Sequence, residues 1–368
     1  MTKALGYAAK HSFSRLKPLE FDRPEPKANE VQIDVLYCGV CHSDIHQVEN
    51  DWGNTVYPCM PGHEIIGRVS AAGASVSRHK VGDLVGVGCM IDSCRNCEPC
   101  REGDEHHCEG HNSWLATYNG PMKPAAQTED GVNTYAEDNT YGGYSNVIVV
   151  PEDFVLKVPE SLPIEAAAPI LCAGVTTYSP LKHWGVKAGD KVGIVGLGGL
   201  GHMAVKLAIA MGADVTVFTT DKDKVEPGKA LGASQVVIEG EKDAYKELEL
   251  SFDFILSTIP EKHKVDPFIT LLKRNSTYCA VGALDQIPGY NNQELIMHRR
   301  TLAGSLIGSI AETQEVLDFC AEKGVAPDVQ LIDIQDVNAA YKKVKNEDVR
   351  FRYVIDMASL KREMDEAA

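Results

Sequence analysis

Four thiols crowd one short stretch, Cys94-x-x-Cys97-x-x-Cys100-x7-Cys108. That spacing suits a tetrahedral zinc ion. Four thiolates would leave the ion no open position, so this metal builds structure and does no chemistry. A second set of donors lies elsewhere, in Cys41, His63-Glu64 and Cys172. A catalytic zinc needs about three protein ligands and one exchangeable position. Cys41, His63 and Cys172 supply the three. Glu64 can coordinate when no substrate is bound or tune the field beside the metal. Asp44 is placed to orient the His63 ring. Taken singly, His63 reads as a core histidine and Cys172 as a buried thiol; beside a four-cysteine cluster the metal reading takes over.

A third constellation is Gly196-Leu197-Gly198-Gly199-Leu200-Gly201. It follows the apolar stretch Lys191–Val195 and opens the helical pattern His202–Met211, which is the context a dinucleotide loop requires. Gly196 permits a tight turn, Gly198 lets backbone approach a pyrophosphate, and Gly201 lets helix and strand pack closely. The helix start, with Gly199 and Leu200, offers free N–H groups to the phosphates. The next strand, Asp214–Phe218, is followed by Thr219-Thr220 and Asp221-Lys222-Asp223-Lys224. Hydroxyls with a nearby lysine accept a 2′-phosphate, so Thr219, Thr220 and Lys224 favour NADP(H). Asp221 leaves NAD open, because one residue of register would make it the acid that holds a ribose 2′-OH.

These groups need a scaffold of two kinds. Val31–Val87 reads as short strands broken by glycine, with Val31-Gln32-Ile33-Asp34-Val35 alternating as a half-buried strand should. Asn112–Asn146 is polar and reads as a long loop, either shaping a cleft or forming a mobile insertion around Glu129-Asp130. From Ser161 onward the pattern changes. Helices are expected from Pro163 and over Thr176–Trp184. Strands are expected at Lys191–Val195, Asp214–Phe218, Phe252–Leu256 and Thr277–Val281. Such alternation implies a doubly wound parallel sheet. Ala311–Glu322 reads as a helix, and Phe351–Ile355 as a strand returning to the first domain. With 368 residues, 44% of them hydrophobic, there is material for two cores. A net charge of -16 would repel nucleic acid. No apolar run is long enough to span a bilayer, and Met1–Tyr7 lacks the core of a signal peptide. Metal-ligating cysteines without such a signal suggest a cytoplasmic protein. The remaining cysteines, Cys38, Cys59, Cys89, Cys279 and Cys320, read as small buried hydrophobes.

With Gly39–Asp44, Pro61–Glu64, the cysteine cluster, Leu171–Gly174 and Gly196–Gly201, the chain resembles the zinc-dependent medium-chain dehydrogenase/reductase family. Within it, the likeness is to the cinnamyl-alcohol-dehydrogenase-like aldehyde reductases. Cys₂His is a known alcohol dehydrogenase ligand set. The resemblance implies a GroES-like, β-rich catalytic domain from residues 1–160 and 305–368, and a Rossmann α/β domain over 161–304. It implies one catalytic and one structural zinc, NADP(H) and a homodimer. It places Thr176 and the Val281-Gly282-Ala283 turn beside the nicotinamide half. The segment around Trp114 is longer than is usual for the group. Ser43, two residues from Cys41, and His46 form a proton relay; His42 bonds cofactor phosphates. Arg352 either reaches the pyrophosphate or sits at the surface. Trp52, Tyr118 and Ile307 are candidate pocket walls. The expected substrates are aromatic or medium-chain aldehydes and their primary alcohols. An NAD-linked polyol or simple-alcohol dehydrogenase is the alternative, and a non-catalytic relative the remote one.

Overall fold

The computed structural model describes residues 1–110, 117–118, 140–241, 244–282, 284–346 and 352–367. Contacts divide the chain into two compact units, Met1–Cys172 with Ser309–Ala368, and Ala173–Gly308.

The first unit is built on a mixed sheet. Its order is Val329–Asp333, Arg352–Asp356, Glu30–Gly39, Ile65–Ala72, Leu84–Val87, Leu156–Lys157, with Val147–Pro151 also pairing on Glu30–Gly39. Glu30–Gly39 is its organising strand. Val31, Ile33 and Val35 are buried while Gln32 and Asp34 face outward, the period-two pattern of a sheet with one dry face. The C-terminal strand does return here: Val354, Ile355 and Asp356 pair antiparallel with Gly39, Cys38 and Tyr37. Phe351, the first residue of the expected strand, lies outside the described residues. Thr2–Ala8 and Lys17–Arg23 form a separate antiparallel ribbon.

The second unit carries six parallel strands in the order Gln235–Ile238, Asp214–Thr219, Lys191–Val195, Phe252–Ser257, Leu272–Ala280, Thr301–Gly304. The chain starts at Lys191–Val195, winds outward one way, then returns to the other side with Phe252–Ser257. Ligands bind beyond the carboxyl ends of strands where the winding reverses. Behind those ends Phe218 packs on Phe252 and Phe268 at ring separations of 5.6 and 5.4 Å. Such fully buried aromatic contacts hold the sheet rigid under its loops.

Element edges differ from the sequence reading for identifiable reasons. The helix expected over Thr176–Trp184 runs Ala173–His183 and tolerates Pro180 inside it. The helix after the glycine loop starts at Gly199, not His202, because the loop's own glycines enter the helix. Pro163 precedes only a short turn of helix, Ile164–Ala167, which tightens into the 3₁₀ segment Ala168–Leu171 and ends at Cys172. Ile310–Lys323 is a full helix, closed at its start by a reciprocal Ser309–Glu312 capping box.

Candidate functional site

In the first unit the donor set converges from three places. Cys41 is the N-cap of the helix His42–Glu49, where the Asp44 carboxylate accepts the Cys41 N–H at 2.9 Å. His63 follows Gly62 on the approach to strand Ile65–Ala72. Cys172 closes the 3₁₀ turn Ala168–Leu171. Donor atoms of Cys41, His63, Glu64 and Cys172 all lie within 4.8 Å of one another, and all four residues are buried. The Cys41 and Cys172 sulfurs stand 3.9 Å apart, and His63 Nε2 is 3.3 Å from Cys172 Sγ. A tetrahedral zinc with Zn–S of about 2.3 Å and Zn–N of about 2.0 Å requires roughly 3.8 and 3.5 Å for these separations. The set therefore fits zinc. His63 Nδ1 is bonded to Asp44 Oδ1 at 2.9 Å, which leaves Nε2 for a metal.

Electrostatics say the same. A hydrogen bond from Cys172 holds the Cys41 thiol well below its ordinary range, and Cys172 is driven up in return as the partner that keeps the proton. Burial pushes Glu64 up to about 7 against the pull of Arg352. Glu64 Oε2 is buried without a partner. Two thiols, an imidazole and a half-satisfied carboxyl in one dry space are what a bound dication would resolve.

Arg352 is a correction. The residue is 4% exposed, and its guanidinium donates to Glu64 Oε1 at 3.0 Å and to the Val40 carbonyl at 3.2 Å. It is not a surface residue: it clamps Glu64 behind the donor set through one nitrogen, and its Nε is buried without a partner among the described residues. The charges are a buried pair, whose rupture is far more costly than that of a surface bridge.

The four-cysteine lobe is equally well formed. Cys94 and Cys100 sulfurs are 3.9 Å apart, and backbone N–H groups point at sulfur: Cys97 to Cys94 at 3.3 Å, Glu109 to Cys97 at 3.4 Å, Cys94 to Cys108 at 3.3 Å. Donors aimed at sulfur favour thiolates. Cys97 caps the helix Glu98–Glu102, so a local fold delivers these ligands.

Around the first donor set, Ser43 Oγ is 3.7 Å from Cys41 Sγ. His46 Nδ1 bonds Asp51 Oδ2 at 2.7 Å. Asp51 was missed in the sequence; its signal was an acid two residues past the end of the His46 helix. His42 is exposed, its ring 6.2 Å from that of His46. Of the candidate pocket walls, the Tyr118 ring lies tilted against His63 at 5.5 Å and Trp52 tilted against His46 at 5.7 Å. Ile307 belongs to the second unit. Of the Asn112–Asn146 loop, Trp114, Glu129 and Asp130 lie outside the described residues. Its end, Gly142–Tyr144, is laced to Met60–Gly62 by three backbone bonds of 2.8–3.0 Å.

In the second unit Gly196 turns with φ 89°. Thr258, another residue the sequence did not flag, donates its hydroxyl to the Val195 carbonyl at 3.0 Å beneath that turn. Gly198 is the N-cap of Gly199–Ala210, and a Cβ placed there would meet nothing within 4 Å, so the space above the helix start is open. Leu200 is half-buried in the first turn. Thr219 ends its strand buried; its Oγ1 accepts the Asp221 N–H at 3.1 Å. Oδ1 of the Asp221 carboxylate in turn accepts the Asp223 N–H at 2.8 Å. Thr220 is exposed, Lys222 pairs with Glu241 at 3.8 Å, and Lys224 carries no ion pair among the described residues. Thr176 is buried on its helix. Val281 donates to the Ser257 carbonyl at 3.0 Å, and Gly282 packs against the Ile259 backbone, where a Cβ would come within 2.3 Å. Ala283 lies outside the described residues.

Comparison with known proteins agrees with this geometry. The alcohol dehydrogenase GroES-like domain matches residues 27–160, and the zinc-binding dehydrogenase domain matches residues 199–322. The chain is 49% identical to the aldehyde reductase YahK of Escherichia coli over 363 residues, covering 97% of this chain and 99% of that protein. It is 45% identical to NADP-dependent alcohol dehydrogenase C 1 of Mycolicibacterium smegmatis, covering 98% and 100%. Among solved structures, a cinnamyl alcohol dehydrogenase from Sorghum bicolor superposes with a TM-score of 0.89 at 38% identity, covering 97% and 98%. One from Helicobacter pylori, complexed with NADP(H), gives 0.86 at 39%, covering 97% and 99%.

Proposed function

Since the chain belongs to the zinc-dependent medium-chain alcohol dehydrogenase family, we propose that it is an NADP(H)-linked aldehyde reductase and alcohol dehydrogenase. Its substrates are aromatic or medium-chain aliphatic aldehydes and their primary alcohols. The observation that carries this is the buried Cys41, His63, Cys172 set, spaced for one zinc, with Glu64 beside it.

When bound, zinc supplies Lewis-acid polarisation of the carbonyl oxygen and NADPH supplies the hydride. The chain's residues do the rest. Cys41, His63 and Cys172 hold the metal; the Asp44 carboxylate fixes the His63 ring by its 2.9 Å bond. The Ser43 hydroxyl, beside Cys41, would give a proton to the product oxygen, and His46 would link that relay to solvent. Asp51, on His46 Nδ1, holds that ring in one orientation. The Gly196–Gly201 loop seats the pyrophosphate at a helix start. Thr219, Thr220 and Lys224 take the 2′-phosphate, in keeping with the NADP-dependent relative and the NADP(H)-bound solved structure.

The active form is a homodimer. Ile296 and Met297 are 73% and 76% exposed on the short helix that leads into the edge strand Thr301–Gly304, an apolar patch beside an open sheet edge. The reliance on reduced thiols for metal supports a cytoplasmic setting. Among the described residues no helix is long and apolar enough to cross a membrane. The test is metal analysis together with a panel of aldehydes and alcohols assayed with NADPH, NADH and their oxidised forms. The expected result is two zinc ions per chain and NADPH-dependent aldehyde reduction. Full turnover without zinc, or a clear preference for NADH, overturns the reading.

A further inference from the structure

The Asp44 carboxylate that orients His63 is itself fully buried and is met by four donors. Oδ1 takes the Gly62 N–H at 3.0 Å and His63 Nδ1 at 2.9 Å; Oδ2 takes the Cys41 N–H at 2.9 Å and the hydroxyl of Tyr144 at 3.4 Å. Three of these belong to the ligand loops themselves. Tyr144 comes from elsewhere and is fully buried. Its backbone is bound on both sides, its N–H to the Pro61 carbonyl at 3.0 Å and its carbonyl to the Tyr7 N–H at 2.9 Å. Gly62 leaves room for it: a Cβ there would come within 2.7 Å of the Tyr144 ring. Behind Tyr144, the Tyr341 hydroxyl donates to the Tyr144 hydroxyl at 3.5 Å. The hydroxyls thus run in one direction, Tyr341 to Tyr144 to Asp44, toward the imidazole that holds the metal.

Resting on the zinc reading above, we propose that Tyr144, backed by Tyr341, is a positioning residue for the catalytic zinc, acting through Asp44 on His63. A buried carboxylate with a lone pair left unmet would shift toward its other donors and turn the His63 ring. Partners of this kind typically change metal retention by about 10- to 100-fold. Chains of hydroxyls polarise one another, so Tyr341 contributes in the same direction and less.

The test uses the purified holoenzyme challenged with excess chelator, zinc release being followed by a coloured zinc indicator. A Cys172→Ser protein, left with the four-sulfur zinc, identifies which phase of release belongs to which site. Tyr144→Phe is expected to speed release of the catalytic zinc about 10-fold, with the other phase unchanged. Tyr341→Phe should show a smaller acceleration of the same phase. Tyr7→Phe, whose hydroxyl bonds Glu363 at 2.9 Å and not Asp44, should release both as the parent does. Wild-type release rates in Tyr144→Phe overturn the proposal, as does equal acceleration by Tyr7→Phe, which would mean general loosening. If Tyr144→Phe does not fold, Tyr341→Phe decides alone on the same criteria. A parent enzyme holding a single zinc would overturn the functional reading as well, which separates the two failures.

Discussion

Two glycines of the dinucleotide loop are held for different reasons, and alanine at each separates them. At Gly201 a Cβ would lie 2.1 Å from the Gly196 carbonyl oxygen and 2.9 Å from its carbon, where ordinary contacts begin at 3.4 Å. Both obstacles are backbone, so no side chain can swing aside. The helix Gly199–Ala210 must move away from the turn by about 1 Å. Its inner face is fully buried through Met203, Ala204, Val205, Leu207 and Ala208. Such overpacking costs about 1–3 kcal/mol. A 1 Å displacement of a phosphate-binding helix start also weakens cofactor binding, by about 100-fold or about 2.7 kcal/mol. At Gly198 a Cβ meets nothing among the described residues within 4 Å, and its φ of -101° suits any residue. Gly198→Ala should therefore leave stability within about 0.5 kcal/mol, while the added methyl occupies the space kept for the pyrophosphate. The assay is NADPH fluorescence titration beside calorimetric melting. Gly201→Ala is expected to lose both stability and affinity, Gly198→Ala affinity alone. Parental NADPH affinity in Gly198→Ala would refute the phosphate assignment. A fully stable Gly201→Ala would refute the packing argument.

Cys172→Ser should release one zinc and lose turnover by at least about 1000-fold with folding retained; Cys97→Ala should release the other zinc and aggregate or melt early, since a structural site contributes folding energy. Metal analysis with circular dichroism tells the two apart, and a soluble, active Cys97→Ala protein would mean that the lobe needs no ion. Lys224→Ala should lower kcat/KM with NADPH about 10-fold, the worth of one charge-assisted bond, and leave NADH unaffected; equal loss with both cofactors would count against 2′-phosphate contact. Ile296→Glu should shift sedimentation from dimer to monomer, and an unchanged dimer would place the interface elsewhere.

How much of this the sequence carried depends on how local each feature is. Cys94, Cys97, Cys100 and Cys108 are close in the chain, so their spacing alone dictates a shared ion. The Gly196–Gly201 loop is legible for the same reason: a strand, a tight turn and a helix start are consecutive. Cys41, His63 and Cys172 were legible by residue type and by family resemblance, although their meeting depends on three separate elements. The burial of Arg352 was not legible because nothing near it in sequence reveals a buried carboxyl. Its strand, Arg352–Asp356, pairs with Glu30–Gly39, and that pairing brings it under Glu64. Asp51 and Thr258 were passed over because acids and hydroxyls are common, and only a 2.7 Å or 3.0 Å approach distinguishes these two.

Sequence by itself determined the donors, the glycine turn and the alternation of strands and helices, since each is set by neighbours along the chain. Tertiary structure decided which polar group satisfies which. Burying Asp44 and Glu64 makes their carboxylates depend on donors within the fold, and donors come from Tyr144 and Arg352, about a hundred and nearly three hundred residues away.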